Sequence, residues 1–205
     1  MKTTILFTGD SITDHSRDYN DENSMGWGYV FRVANALAEN DNVRVINRGI
    51  SGNRARDLEA RWERDCIALK PDIISVMIGI NDTWRHFDSN DETADADFYE
   101  SFRRVLLRTR RELPDAKIMI LQPYLLHYPE DRAMWEEDFC GKLAMTEKIR
   151  EEFADFYIPF NDIMRAEAEK SSPQILTHDG VHPADAGCEL MAEKILEILN
   201  GSHII

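Results

Sequence analysis

The sequence predicts a three-layer α/β/α fold built on a central parallel sheet of about five strands. Three observations carry this reading. Short apolar runs alternate with longer amphipathic ones from end to end. The short runs are nearly continuous in apolar residues, as strands are when helices cover both faces of a parallel sheet. Polar segments rich in Gly, Asp and Asn follow the apolar runs directly, at the strand ends where open parallel sheets collect ligands.

Taken in order, the first strand is expected over residues 4–8 and a helix over 28–38. A second strand over 44–47 leads to a helix over 55–69. A third strand over 73–78 is followed by a helix over 98–113, and a fourth over 117–122 by a helix over 135–153. The last strand spans 156–159 and the last helix 184–199, where Cys188, Met191, Ala192, Ile195, Leu196 and Leu199 form one stripe. Two stretches dominated by Asp and Asn, 18–24 and 88–97, read as solvated loops, with a role as rim or lid left open. No repeat, linker or low-complexity tract divides the chain, so residues 1–205 are expected to form one domain.

Composition narrows the function. With 43% hydrophobic and 30% charged residues, the chain is an ordinary globular sequence. Its formal net charge of −14 repels phosphate backbones and anionic lipid, so neither nucleic acid nor a membrane surface is an expected partner. The longest apolar runs, such as 76–80, are far too short to span a bilayer. Residues 1–7 run straight into a strand without a signal-like segment, and a cytoplasmic location is expected. Cys66, Cys140 and Cys188 are scattered and odd in number, which suits small core residues better than disulfides or metal ligands.

Four strand-end segments carry chemistry: Gly9-Asp10-Ser11-Ile12-Thr13-Asp14, Asn47-Arg48-Gly49-Ile50-Ser51-Gly52-Asn53, Gly79-Ile80-Asn81-Asp82 and His178-Asp179-Gly180-Val181-His182-Pro183. Each suits one task in acyl transfer. A serine hydroxyl such as that of Ser11 is a weak nucleophile until a base takes its proton. His182 is the best candidate base, because imidazole titrates near neutral pH. Asp179, three residues earlier, can reach the other ring nitrogen and fix the tautomer. An oxyanion needs donors, and the N–H groups of Ser11 and Gly52 with the side-chain amide of Asn81 could supply them. Taken singly these signals are weak, since Gly-Asp-Ser is more often an ordinary turn. Four in order at successive strand ends are specific.

Together the four blocks resemble those of the SGNH (GDSL-like) hydrolase superfamily, with Ile12 where the family name has Leu. The resemblance spans nearly the whole chain. It implies a single SGNH hydrolase domain of flavodoxin-like fold, Ser11, Asp179 and His182 as catalytic residues, and Ser11, Gly52 and Asn81 as the oxyanion hole. Residues 47–53, 57–62 and 78–85 further resemble the bacterial acetylxylan esterase branch, intracellular enzymes that deacetylate xylo-oligosaccharides. Members of that branch carry an aromatic residue just before the acid, where this chain has His178. The function so implied is a serine esterase acting on acetyl esters of carbohydrates, with a lysophospholipase, thioesterase or arylesterase as alternatives.

Asp10, Trp27, Trp84, Arg85 and His178 are candidate substrate-binding residues, and Tyr29 and Tyr124 are further aromatics near strand-end loops. Flat rings suit sugar faces, although core packing accounts equally well for each. Trp62 reads as packing; Arg54, Arg56 and Arg85 could bind a polar substrate, but surface ion pairing is the first reading for them in so acidic a chain. No metal and no cofactor is expected. A metal hydrolase using His178, Asp179 and His182 with Asp10, Asp14 and His15 would leave Ser11, Gly52 and Asn81 without a role. A non-catalytic carbohydrate-binding protein is disfavoured because every acyl-transfer residue is present. The expected partner is a small acylated substrate, with self-association into a homo-oligomer left open.

Overall fold

Five parallel strands form the centre of the molecule, whose computed structural model describes residues 2–202. Strand β1 (Thr3–Gly9) leads into one helical turn, α1 (Ser11–Asp14), and then α2 (Tyr29–Ala36). Strand β2 (Val43–Gly49) precedes α3 (Ala55–Asp65), and β3 (Ile73–Met77) precedes α4 (Ile80–Ser89) and α5 (Asp95–Glu112). Strand β4 (Lys117–Leu121) leads to α6 (Glu136–Phe153). Strand β5 (Phe156–Ile158) leads to α7 (Phe160–Lys170), α8 (Pro173–Leu176) and α9 (Asp185–Gly201). The strand order β2-β1-β3-β4-β5 is that of flavodoxin-like sheets, whose ligands sit where the winding reverses, between β1 and β3.

Side chains alternate faces along each strand, so one run feeds two cores. Ile5, Phe7, Ile73 and Met119 pack against Val33 of α2, Met164 of α7, and Met191 and Ile195 of α9. Leu6, Ile74, Ile118 and Ile120 pack on the other face against Leu58 of α3, Phe102 and Leu106 of α5, and Ile149 of α6. The register places Gly9 level with both Gly49 and Met77, so the first three strands end at one height. Their loops therefore open on a common edge.

The strands lie where expected to within two residues at either end. Four helices were not expected: the single turns α1 and α8, and the longer α4 and α7. Residues 80–89, which overlap the expected strand-end segment 79–82 and the expected loop 88–97, form α4, which buries Ile80, Asn81, Asp82 and Thr83. Residues 160–170 form α7, whose buried Phe160 and Met164 lie one turn apart. The long side chains that solvate one face of each helix masked the period. The stretch 18–24 is free of helix and strand, and only residues 90–94 of the second polar stretch link helices. Cys66 and Cys188 are buried as expected, but Cys140 is exposed on α6, where its thiol lies 3.5 Å from a Glu136 carboxylate oxygen. Among the described residues no helix is long and apolar enough to cross a membrane.

Candidate active site

At the end of β1 the backbone passes so close to β3 that a Cβ on Gly9 would lie 2.1 Å from the Met77 carbonyl oxygen. Glycine is therefore required there. The next residue caps α1: Asp10 Oδ1 accepts the Ile12 N–H at 3.0 Å. That single turn holds Ser11 at its first position, half-buried, with its hydroxyl turned toward the last loop of the chain. There Ser11 Oγ lies 2.8 Å from His182 Nε2, and His182 Nδ1 lies 2.8 Å from Asp179 Oδ2.

The loop that carries both residues is locked from within. The bridge between Thr177 and Pro183 closes it, and the Thr177 hydroxyl donates to the His182 carbonyl at 2.8 Å. Asp179 Oδ1 accepts the N–H groups of Val181 and His182 at 3.1 and 2.8 Å, leaving Oδ2 for the ring. Burial alone would raise the Asp179 pKa, but the hydrogen bonds from the His182 ring and backbone hold it down to about 2. The carboxylate raises His182 above its usual value, against the opposing effect of burial. The result is an ionised acid, an oriented imidazole and a hydroxyl in one line.

Gly52 and Asn81, expected as oxyanion donors, lie on the loop after β2 and at the start of α4. Gly52 has φ +82°, a left-handed conformation that favours glycine. Among the described residues neither the Ser11 N–H nor the Gly52 N–H has an acceptor. Asn81 lies in the first turn of α4, and its Nδ2 donates to the Asn53 carbonyl at 3.1 Å. One further residue ties this loop to the serine turn. Arg61, 9% exposed, donates from Nη2 to the Gly9 carbonyl at 2.9 Å, from Nη1 to the Arg48 carbonyl at 2.7 Å and from Nε to Asn53 Oδ1 at 2.7 Å.

An aromatic wall flanks the histidine. The Trp84 ring lies 5.6 Å from that of His182 and 5.1 Å from that of Trp135, and Phe87 stacks on Trp135 at 5.5 Å. The Arg132 guanidinium sits 4.3 Å over Trp135 and 5.3 Å over Trp84, while its Nε donates to the Asp179 carbonyl at 3.1 Å. Arg61, Arg132 and Trp135 were not singled out from the sequence. Their roles depend on partners remote along the chain, and no local pattern marks them.

Of the candidate substrate-binding residues, Trp84 lies against His182, and an Arg85 Nη2 lies 4.0 Å from the point where a Gly52 Cβ would project. His178 is exposed, and its N–H donates to the His182 carbonyl at 3.0 Å. Trp27 is 68% exposed and packs against Phe31. Asp10 requires correction: it is fully buried beneath the serine turn and cannot touch substrate. Burial raises its pKa to about 7, and among the described residues Oδ2 has no hydrogen-bond partner. Tyr29 and Tyr124 are fully buried in the core, Tyr29 bonding Thr13 through its hydroxyl. Arg54 and Arg56 pair with Asp91, Arg85 pairs with Asp88, and Trp62 is buried, as expected of them.

The metal alternative loses its ligands to this geometry, because both ring nitrogens of His182 are engaged by Ser11 and Asp179. Among the described residues the one grouping of His and carboxylate atoms close enough to share a cation is His86, Glu92 and Asp138. There the Lys142 ammonium already lies 3.3 Å from Asp138.

Residues 7–190 match the model of the GDSL-like lipase/acylhydrolase family. The chain is 35% identical over 204 residues to an acetylxylan esterase of Geobacillus stearothermophilus, covering 94% of this chain and 91% of that one. Among solved structures it is similar to a GDSL-like lipase of Parabacteroides merdae, with a TM-score of 0.89 at 33% identity, covering 96% of this chain and 95% of that one. It is also similar to the crystal structure of the Geobacillus stearothermophilus acetylxylan esterase, with a TM-score of 0.81 at 32% identity over 96% of this chain and 95% of that one.

Proposed function

Because this chain belongs to the GDSL-like lipase/acylhydrolase family and is a carboxylic ester hydrolase, we propose that it is a serine esterase removing acetyl groups from xylo-oligosaccharides. The observation that carries the mechanism is the line from Ser11 through His182 to Asp179, with both contacts at 2.8 Å. Its similarity to acetylxylan esterases supports the substrate.

In this reading His182 Nε2 takes the Ser11 proton as Oγ attacks the acetyl carbonyl carbon. The negative charge on the carbonyl oxygen meets the N–H groups of Ser11 and Gly52 and the Asn81 amide. Collapse breaks the bond to the sugar oxygen, which leaves with the proton from His182, and acetyl-Ser11 remains. Water then attacks the acetyl group while His182 again takes a proton. Acetate departs as Ser11 Oγ regains its hydrogen. Asp179 stays ionised throughout and stabilises the imidazolium.

The surroundings favour a sugar over a long acyl chain. A chain gains about 0.8 kcal/mol per buried CH₂ only where an apolar groove receives it. Trp84 and Phe87 offer flat rings backed by the buried Trp135, with Arg132 beside them, which suits the apolar face and hydroxyl edge of a pyranose. Met145 packs against the core and is not part of this wall. The test compares kcat/KM for aryl acetate, butyrate and octanoate, and measures acetate released from peracetylated xylobiose. A falling series with acetate release is expected. A rising series with no release from the sugar reverses the reading toward a lipase or thioesterase.

A further inference from the structure

In a chain of net charge −14, almost every arginine finds a carboxylate, as Arg54, Arg103 and Arg165 do. Among the described residues Arg17, Arg44 and Arg48 have no direct ion pair. Two of these three, Arg17 and Arg48, line one cavity of about 500 Å³ together with Arg64.

Arg48 is 9% exposed, at the end of β2. Its Nη1 donates to the carbonyls of Glu22 and Asn47 at 3.2 and 3.1 Å, while Nε and Nη2 have no protein acceptor among the described residues. Those two N–H groups form the fork that binds a carboxylate or phosphate side-on. Arg17 is held beside it: Nε donates to the Gly49 carbonyl at 2.7 Å and the guanidinium lies 4.5 Å over the Tyr19 ring. Its two Nη groups have no protein acceptor among the described residues. Two acids also line the cavity. Asp65 is already held by Arg61 at 2.9 Å and by Arg64 at 2.6 Å, and Glu22 is exposed. A largely buried cation without a counter-charge is costly, and an anion in the cavity removes that cost.

The cavity adjoins the acyl site. Ile50 lines it and stands two residues before Gly52, so their Cα atoms are at most about 7.6 Å apart. Ser51, between them, donates from its backbone and its hydroxyl to Asp14, whose other carboxylate oxygen accepts the Arg17 N–H.

We propose that this cavity binds an anionic group, carboxylate or phosphate, carried on the same sugar chain as the ester, so that the enzyme prefers acidic acetylated sugars to neutral ones. The proposal rests on the sugar-ester reading above and names a subsite within it.

The test measures kcat/KM on acetylated xylobiose, on the same sugar bearing a uronic acid branch, and on an acetylated sugar phosphate, with calorimetric titration of free glucuronate and inorganic phosphate. The expected result is a preference for one acidic substrate of about tenfold or more, expressed in KM, as one charge-assisted fork supplies. The preferred acid, uronate or phosphate, identifies the source of the anion. The preference should vanish in Arg48→Gln and in Arg17→Gln and shrink in high salt, while rates on aryl acetate hold. Arg17→Gln and the salt series decide the matter if Arg48→Gln fails to fold. Equal rates on neutral and acidic sugars, with no saturable binding of either anion, overturn the proposal and leave the deacetylase reading standing. If aryl acetate is cleaved but no sugar acetate is, the deacetylase reading fails. The titrations then decide the cavity: saturable anion binding lost in Arg48→Gln upholds an anion site, and its absence overturns it.

Discussion

Asn81 is held by Asn53: the Asn81 Nδ2 donates to the Asn53 backbone carbonyl at 3.1 Å, which spends one amide hydrogen and leaves the other to point elsewhere. Asn53 is itself fixed through Oδ1 by the buried Arg61 guanidinium. A donor restrained in this way needs little reorganisation when charge develops on a substrate oxygen.

Removing that donor by Asn81→Ala is expected to lower kcat by about 10²–10³ with little change in KM, because the charge it meets exists only in the transition state. Steady-state kinetics on an aryl acetate make the comparison. A rise in KM at constant kcat assigns Asn81 to substrate binding instead.

Replacing Ser11 by Ala should leave only a residual rate, roughly 10³–10⁴ over the uncatalysed one. Ser11 is half-buried and among the described residues its hydroxyl bonds only the His182 ring, so the melting temperature should hardly move. A variant free of wild-type enzyme that keeps most of its kcat sinks the serine mechanism.

Activity should fall on the acid side with an apparent pKa above 6.5, because Asp179 raises His182 and only the neutral ring accepts the serine proton. Asp179→Asn should cut kcat by about 10⁴ by favouring the wrong tautomer. A kcat/KM profile flat from pH 5 to 8, with hydrolysis rate-limiting, contradicts the assignment of His182.

Buried acids should make the fold less stable as pH rises from 4 to 7. Burial raises the Asp82 pKa from 3.8 to about 7, and among the described residues its Oδ1 has no hydrogen-bond partner. A raised folded-state pKa contributes stability that is fully present below 3.8 and is lost as pH rises through 7, up to roughly 4 kcal/mol. Asp82→Asn keeps an acceptor for the Ala55 N–H and removes the titration. Melting curves at pH 5 and 7.5 should show a smaller loss in the variant, by several degrees at roughly 2–4 °C per kcal/mol. Parallel losses in both proteins refute the linkage.

Trp84→Ala should reduce kcat/KM on xylobiose acetates more than on aryl acetate, by roughly tenfold or less, if the ring beside His182 also carries the sugar. Equal losses on both substrates mean that Trp84 only positions the His182 ring.

The strand-end segments that hold Ser11, Gly52, Asn81, Asp179 and His182 were legible in the sequence because their turn chemistry is local, and the structure brings Ser11, His182 and Asp179 together. The parallel sheet was legible for a related reason: a buried strand announces itself through its own apolar run, as in Ile73–Met77. Helix α4 was not, since its solvated polar side chains obscured the apolar period. What only the tertiary structure decided are relationships between distant residues. Tyr29 and Tyr124 went to the core while Trp84 went to the histidine, although all three are aromatics near strand ends. Asp10 went under the serine, Arg61 joined Gly9 to Asn53, and Arg17 and Arg48 met around one cavity. Periodicity records which face of an element is buried, because that depends on neighbours three or four residues away. It carries no record of which side chain, fifty or a hundred residues along, packing brings to that face.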